Sequence, residues 1–176
     1  MNKRLELVTG EKIKIVAQDN YFGDAKMFAK SRSDDVTKAQ IGAYGNTYTE
    51  ETVAKYMPEP SLEIGKKKLF SIISKDDGRY LGDIRLEEMA AGIYQIGIVI
   101  IQSERNHGYG TDSIQTLCRY AFEKMNAHRV YLRVYQNNPK AKELYIRLGF
   151  VYEKTEDDNY VIDGINYPED WLYLNA

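Results

Sequence analysis

Arg105-Asn106-His107-Gly108-Tyr109-Gly110-Thr111 joins an apolar run, Ile96 to Ile101, to a segment where Ile114, Leu117, Cys118, Ala121 and Phe122 recur at helical spacing. The apolar run predicts a strand buried on both faces, and the spacing after it predicts a helix from about Thr111. Two glycines two residues apart let the backbone turn tightly and bring successive N–H groups to one concave side. Those amides sit at a helix N-terminus, whose dipole favours an anion, and Arg105 adds a formal cation. A pyrophosphate suits such a loop. An ordinary strand–helix turn would need the same glycines, so the loop alone leaves both readings open. Its spacing differs from the dinucleotide G-x-G-x-x-G fingerprint, and the chain has no G-x-x-x-x-G-K-[ST] loop. Ordinary nucleotide enzymes are therefore disfavoured.

Working towards the N-terminus, Ile93 to Ile101 reads as one long central strand. Tyr80 to Leu86 precedes it across a loose turn at Met89 to Gly92, and Leu69 to Ile73 precedes that across a hairpin turn at Asp77-Gly78. Thr49 can start a short helix that Pro58 stops. Ser31 to Asn46 is polar and reads as loop with short helical pieces. Asp19 can cap a helix over about Tyr21 to Lys30, and Lys12-Ile13-Lys14-Ile15 alternates as a first strand. Towards the C-terminus, Arg129 to Tyr135 is a strand with Val130, Leu132 and Val134 on one face. Ala141, Leu144, Tyr145 and Leu148 mark a helix ended by Gly149, and strands near Phe150 to Lys154 and Trp171 to Leu174 follow. The order predicts a mixed α/β sheet with helices on its faces.

At 176 residues, with no repeat and no Pro/Gly/Ser linker, the whole chain 1–176 reads as a single domain. Formal net charge is -2, which argues against a nucleic-acid or anionic-membrane partner. No apolar run is long enough to span a bilayer and the N-terminus lacks a signal-peptide core, so a soluble cytoplasmic protein is expected. The one cysteine, Cys118, fits a reducing compartment, and its place on an apolar helical face reads as packing. His107 and His128 make no metal cluster, so no metal is expected. The chain has 15 tyrosines, most of which read as half-buried strand residues.

The pattern R-x-x-G-x-G after an apolar strand resembles the coenzyme A pyrophosphate loop of the GNAT acetyltransferase superfamily. Asn138-Pro139-Lys140-Ala141-Lys142-Glu143-Leu144-Tyr145-Ile146-Arg147-Leu148-Gly149-Phe150 resembles its N-x-x-A-x-x-L-Y-x-x-x-G-F segment. The likeness runs from about Leu69 to Tyr173. The opening looks most similar to the branch with ribosomal-protein N-terminal acetyltransferases and spermidine acetyltransferases.

The resemblance implies a mostly antiparallel sheet with one splayed parallel pair, Ile93–Ile101 beside Arg129–Tyr135, and acetyl-coenzyme A in the gap. It further implies that the backbone of Ile98, Ile100 and Ile101 and the side chain of Asn138 meet the pantetheine. Residues Arg105, Asn106, His107, Gly108, Tyr109, Gly110 and Thr111 would meet the pyrophosphate, and Tyr145 would be the acid that protonates the departing thiolate. A core tyrosine would occupy the same apolar stripe. Many relatives carry a glutamate base where this chain has Gln95, which cannot take a proton at neutral pH. Glu87, Glu88 or Glu104 could act through water, and no base is assigned.

The implied activity is acetyl transfer to a primary amine, either polyamine-like or a protein N-terminus. The alternative is an acetyl-coenzyme A sensor with little turnover. The pairs Asp34-Asp35, Glu50-Glu51, Asp157-Asp158 and Glu169-Asp170 could attract a polyamine or be solvated loop faces. Relatives often dimerise, and a homodimer is left open.

Overall fold

Alternating apolar residues build one eight-stranded sheet in the computed structural model, which describes residues 3–176. Its strands are β1 (Glu6–Thr9), β2 (Ile13–Ala17), β3 (Lys67–Ser74), β4 (Tyr80–Ala90), β5 (Ile93–Ile100), β6 (Arg129–Tyr135), β7 (Val151–Glu156) and, completing the sheet after a small hairpin, β10 (Glu169–Asn175). That hairpin pairs β8 (Val161–Ile162) with β9 (Ile165–Asn166). Spatial order is β1-β2-β3-β4-β5-β6-β10-β7, and every neighbouring pair is antiparallel except β5–β6. The helices are α1 (Asp24–Ser31), α2 (Asp35–Gln40), α3 (Glu50–Tyr56), α4 (Tyr109–Lys124) and α5 (Pro139–Arg147). This is the mixed α/β sheet that the sequence predicts, with the one parallel pair that the resemblance implies.

Each face of the sheet has its own cover. Ile84, Ile96, Val130, Leu132 and Val134 join Ile114, Leu117 and Ala121 of α4 and Tyr145 of α5 in one buried cluster. Asp83 precedes Ile84 and so points to the other face. There it receives Nη1 and Nη2 of Arg32, just past α1, at 2.7 and 2.8 Å. Helices α4 and α5 therefore lie behind the sheet, and α1 lies in front.

Three expectations change in detail. Of Lys12–Ile15, residues Ile13 to Ile15 belong to the second strand and Lys12 precedes it, because the short, half-exposed edge segment Glu6–Thr9 comes first and pairs antiparallel to it. The alternation that marks a half-buried strand is weak there. Asp19 does cap, accepting the Tyr21 N–H at 2.9 Å, but what it caps is a 3-10 turn over Asn20–Phe22. Gly23, with φ 79°, ends that turn, and α1 starts afresh at Asp24. Glu169 and Asp170 are no solvated loop. They are buried in β10, and Asp170 accepts from Lys142 Nζ at 2.7 Å and Thr155 Oγ1 at 2.6 Å. Their place between β6 and β7 was hidden because two consecutive carboxylates read as surface.

Two carboxylates fasten the N-terminal elements to the sheet. Asp112, in the first turn of α4, accepts the N–H groups of Glu11, Lys12 and Ile13 at 3.1, 2.7 and 3.1 Å. Asp24 is wholly buried and accepts Arg4 Nη1 and Nη2 at 2.7 Å each, Ser71 Oγ at 2.7 Å and the Asp19 N–H at 2.9 Å. Removing one partner of such a buried charged network strands the others without compensation. Asp24→Ala should therefore lower unfolding stability by about 3–5 kcal/mol in a urea titration, and a loss under about 1 kcal/mol would contradict this account.

Candidate functional site

The site starts where two strands part. Parallel pairing of β5 with β6 runs from Ile93↔Arg129 to Ile96↔Leu132 and stops there. Ile101 donates its N–H to Leu81 C=O at 2.9 Å, on the β4 side. Backbone direction alternates along a strand, so Ile98 and Ile100 turn their N–H and C=O groups towards the gap. Ile101 does not share this direction. Gly82 helps draw β5 towards β4, since a Cβ there would stand 2.1 Å from the Val99 carbonyl oxygen. Any side chain at that position would push β5 into the gap.

The loop after β5 ends at an open helix terminus. Asn106 and Gly108 have φ 66° and 84°, and Gly108 stands as N-cap of α4 with no side-chain cap. The N–H groups of Tyr109, Gly110 and Thr111 therefore precede the first intrahelical bond, made by the Asp112 N–H to Gly108 C=O at 3.0 Å. Gly110 plays a different part from Gly108. Its φ is ordinary, and a Cβ there would meet Ile100 Cγ1 at 3.7 Å, an ordinary contact, so neither the turn nor the packing requires a glycine at this position. Asn106 and His107 are exposed, and the His107 ring lies 5.9 Å from that of Tyr109.

The cation nearest this terminus is not the one expected. Arg105 turns inward, with Nε on Ile100 C=O at 3.0 Å, Nη2 on Thr37 Oγ1 at 2.8 Å and Nη1 on Gln40 Oε1 at 3.3 Å. It ties α2 to the end of β5, and burial lowers its pKa from the usual arginine value. Lys12 instead reaches over the loop, its Nζ donating to His107 C=O at 3.0 Å, and a Cβ on Gly108 would stand 3.1 Å from that nitrogen. The Asp112 carboxylate in the same turn, engaged by three backbone N–H groups, leaves the positive end of the helix less opposed than its formal charge suggests.

Below the gap lies a cleft of about 530 Å³ that Ile98, Asn138 and Tyr145 line. The sheet thus brings Ile98 together with Asn138 and Tyr145, which follow it by 40 and 47 positions in the sequence. Asn138 also caps α5, its Oδ1 accepting the Ala141 N–H at 3.4 Å. Tyr145 is buried against Phe150, ring centroids 6.3 Å apart, and burial pushes its pKa up to about 12. Its hydroxyl stays protonated at neutral pH and can only donate a proton there.

Among candidate carboxylates, Glu104 pairs with Arg79 at 3.2 Å and Glu87 with Lys67 at 3.5 Å. Gln95 is buried and lines the cleft. Asp83 lines it too but is held by Arg32. Glu169 also lines it, and burial raises its pKa against the pull of Arg133, its ion-pair partner. Sequence reasoning missed Lys12, Arg85 and Arg133, and it named Glu169 only within a pair that could attract a polyamine or be a solvated loop face. Arg133 carried a signal, since Val130, Leu132 and Val134 all point to the core and leave Tyr131, Arg133 and Tyr135 to the front. Lys12 carried none.

The remaining candidates are inert or structural. Cys118 is buried and its thiol is pushed up to about 12 by burial, far from a nucleophile's range. His128 is exposed and donates its backbone N–H to Gly92 C=O at 2.9 Å. Among the described residues, no His/Cys/Asp/Glu group could hold a metal ion, and no helix is long and apolar enough to cross a membrane.

A family profile described as an acetyltransferase (GNAT) domain matches residues 21–151. Spermidine N(1)-acetyltransferase of Vibrio cholerae is 34% identical over 67 residues, 38% of this chain and 39% of that protein. An uncharacterized N-acetyltransferase of Bacillus subtilis, YnaD, is 24% identical over 103 residues, 58% of this chain and 59% of that protein. These matches span less than two thirds of either curated relative. Among solved structures, a Vibrio cholerae spermidine N-acetyltransferase in complex with CoA and spermine superposes with TM-score 0.76 at 21% identity, covering 93% of this chain and 95% of that one. A GNAT-family acetyltransferase from Bacillus anthracis gives TM-score 0.76 at 20% identity, covering 96% and 97%. At such identity the two structures speak for the fold.

Proposed function

Because this chain belongs to the GNAT acetyltransferase family, we propose that it moves an acetyl group from acetyl-coenzyme A to a primary amine. The observation that carries the reading is the alignment of three features. The β5–β6 gap presents the backbone of Ile98 and Ile100, the uncapped N-terminus of α4 stands beyond it, and Tyr145 faces the cleft beneath. The fit to the cofactor is chemical. A pantetheine arm carries amides that can pair with the exposed strand, and a pyrophosphate matches the N–H groups of Tyr109, Gly110 and Thr111 with Lys12 above them. Asn138 is placed to meet the pantetheine amides. The relative that bears CoA and spermine supports both a coenzyme A cosubstrate and an amine acceptor.

When bound, acetyl-coenzyme A supplies a thioester whose acetyl carbon an unprotonated amine attacks, forming a C–N bond as the C–S bond breaks. Tyr145 gives its hydroxyl proton to the departing sulfur. Glu169 is the carboxylate in the cleft whose raised pKa suits it to take the amine's proton, a role that Gln95 cannot fill. Arg105 acts indirectly, holding α2 against the end of β5 and so fixing one wall of the gap.

Tyr145→Phe should lower kcat by about 10²-fold while acetyl-coenzyme A binds as tightly as to the parent in calorimetry. Unchanged turnover would remove Tyr145 from the mechanism, and failure of the parent to bind millimolar cofactor would end the acetyltransferase reading. Glu169 must be ionised to act, and its pKa lies above the usual carboxylate value, so kcat/KM should fall as pH drops through that raised value. Glu169→Gln should abolish this acid limb and lower the plateau. A limb that persists in the variant would assign the base elsewhere.

A further inference from the structure

The mouth of the cleft carries an unusual charge. A second, shallower hollow adjoins it, and the two share four lining side chains: Lys67, Arg85, Gln95 and Arg133. Three of these are cations and the fourth is neutral. Lys67 and Arg85 both face Glu87, at 3.5 and 3.7 Å, and Arg133 pairs with Glu169. Glu87 and Glu88 line the outer hollow and not the main cleft. Three cations thus face two carboxylates at the junction, and the Arg85–Glu87 separation is too long for a hydrogen bond.

The nitrogen atoms say the same. Nε of Arg85 and Nε of Arg133 are both shut off from solvent without a hydrogen-bond partner. Each side chain is still about a third exposed, at 33% and 31%, so the Nη groups, and not the enclosed Nε, are what a ligand in the shared space would meet. Gly97 gives Arg85 its seat, because a Cβ there would stand 3.2 Å from Nη2. The guanidinium therefore lies over bare strand backbone at the junction of the two hollows. The carboxylates of the main cleft are already engaged, Asp83 by two bonds from Arg32 and Glu169 by Arg133. A polyamine entering the main cleft would meet surplus positive charge and carboxylates already engaged, with Glu88 in the outer hollow the one lining carboxylate that has no ion pair among the described residues.

We propose that the acceptor is an amine that carries its own oxyanion, which Arg85 and Arg133 hold while the amine faces Glu169. This rests on the acetyl-transfer reading of the same cleft. The planar guanidinium fork matches a carboxylate or a phosphate, and the neutral Gln95, which lines the same space, adds no charge of its own to oppose it. Arg85 then sets specificity and takes no part in the proton transfers.

Acetylation rates should be compared for β-alanine, O-phosphoethanolamine, ethanolamine and spermidine. One or both anionic amines should exceed ethanolamine in kcat/KM, and spermidine should be the poorest. Which of β-alanine and O-phosphoethanolamine leads identifies the oxyanion as carboxylate or phosphate. Arg85→Gln should cut the preference for the anionic amine over ethanolamine by about 10- to 100-fold, and Arg85→Lys should restore part of it. A leading rate for spermidine, or a preference that Arg85→Gln leaves unchanged, would overturn the proposal. Binding tests it without turnover: succinate and inorganic phosphate are titrated into parent and Arg85→Gln protein. Saturable binding of either anion, lost in the variant, is expected, and no binding of both would overturn it. Acetyl-coenzyme A titrated into the same samples separates the two readings, because loss of cofactor binding concerns the transferase and loss of anion binding concerns the acceptor.

Discussion

Strands β5 and β6 run side by side for four residue pairs and then separate, and the consequences of that parting organise the molecule. A central strand that loses a neighbour leaves backbone N–H and C=O groups unpaired in the middle of a sheet, at a cost comparable to lost hydrogen bonds. Several features hold the parting open. Gly82 lets β4 approach β5 so closely that the Val99 carbonyl would lie 2.1 Å from any added Cβ. Arg105 takes the Ile100 carbonyl and anchors α2 there. On the other side, β6 keeps full pairing with β10 from Arg129↔Asn175 to Tyr135↔Glu169, so it cannot swing across to close the gap. The structure thus keeps hydrogen-bonding capacity in reserve along Ile98 and at the Ile100 N–H, and an amide-bearing ligand is the natural complement.

The two ends of this gap differ in how they meet charge. At the far end the partial charges of an uncapped helix and the Lys12 ammonium act together, and the hairpin that delivers Lys12 is itself held by Asp112 from the same helix. Backbone amides cannot be lost by a side-chain substitution, which makes that end general for phosphates. At the near end the charges are side chains, namely Arg85, Arg133 and Lys67 around Gln95. Specificity for an acceptor belongs there, because side chains on a fixed sheet can be exchanged without moving the strands.

Much of this was legible in the sequence, for identifiable reasons. The core strands carry apolar runs or alternation, and α4 and α5 carry helical periodicity and glycine punctuation, so both their kind and their order could be read. Tyr145 and Asn138 could be located because a local motif surrounds them. Tertiary orientation was not legible. Arg105 beside a glycine loop reads as a ligand for the loop's anion, yet its guanidinium turns back to Thr37, a residue sixty-eight positions away. Lys12 reaches the loop only because Asp112 clamps its hairpin, a contact spanning a hundred residues. The β8–β9 hairpin turns at Asp163-Gly164, with φ 51° and 80°, and that Asp-Gly pair was a signal left unread because the flanking strands are two residues each. Glu169 and Asp170 show the opposite error, since paired acids look like surface until Lys142, Thr155 and Arg133 surround them.

The most direct test of the account is amide hydrogen exchange read residue by residue along β5, with and without saturating acetyl-coenzyme A. The N–H groups of Ile98 and Ile100 face the gap, whereas those of Gly97, Val99 and Ile101 lie on the β4 side by strand alternation. The account predicts that cofactor slows exchange at Ile98 or Ile100 selectively, with the β4-side amides little changed. Equal protection along the whole strand, or none at Ile98 and Ile100, would contradict the claim that the parted strands receive the cofactor as their missing neighbour.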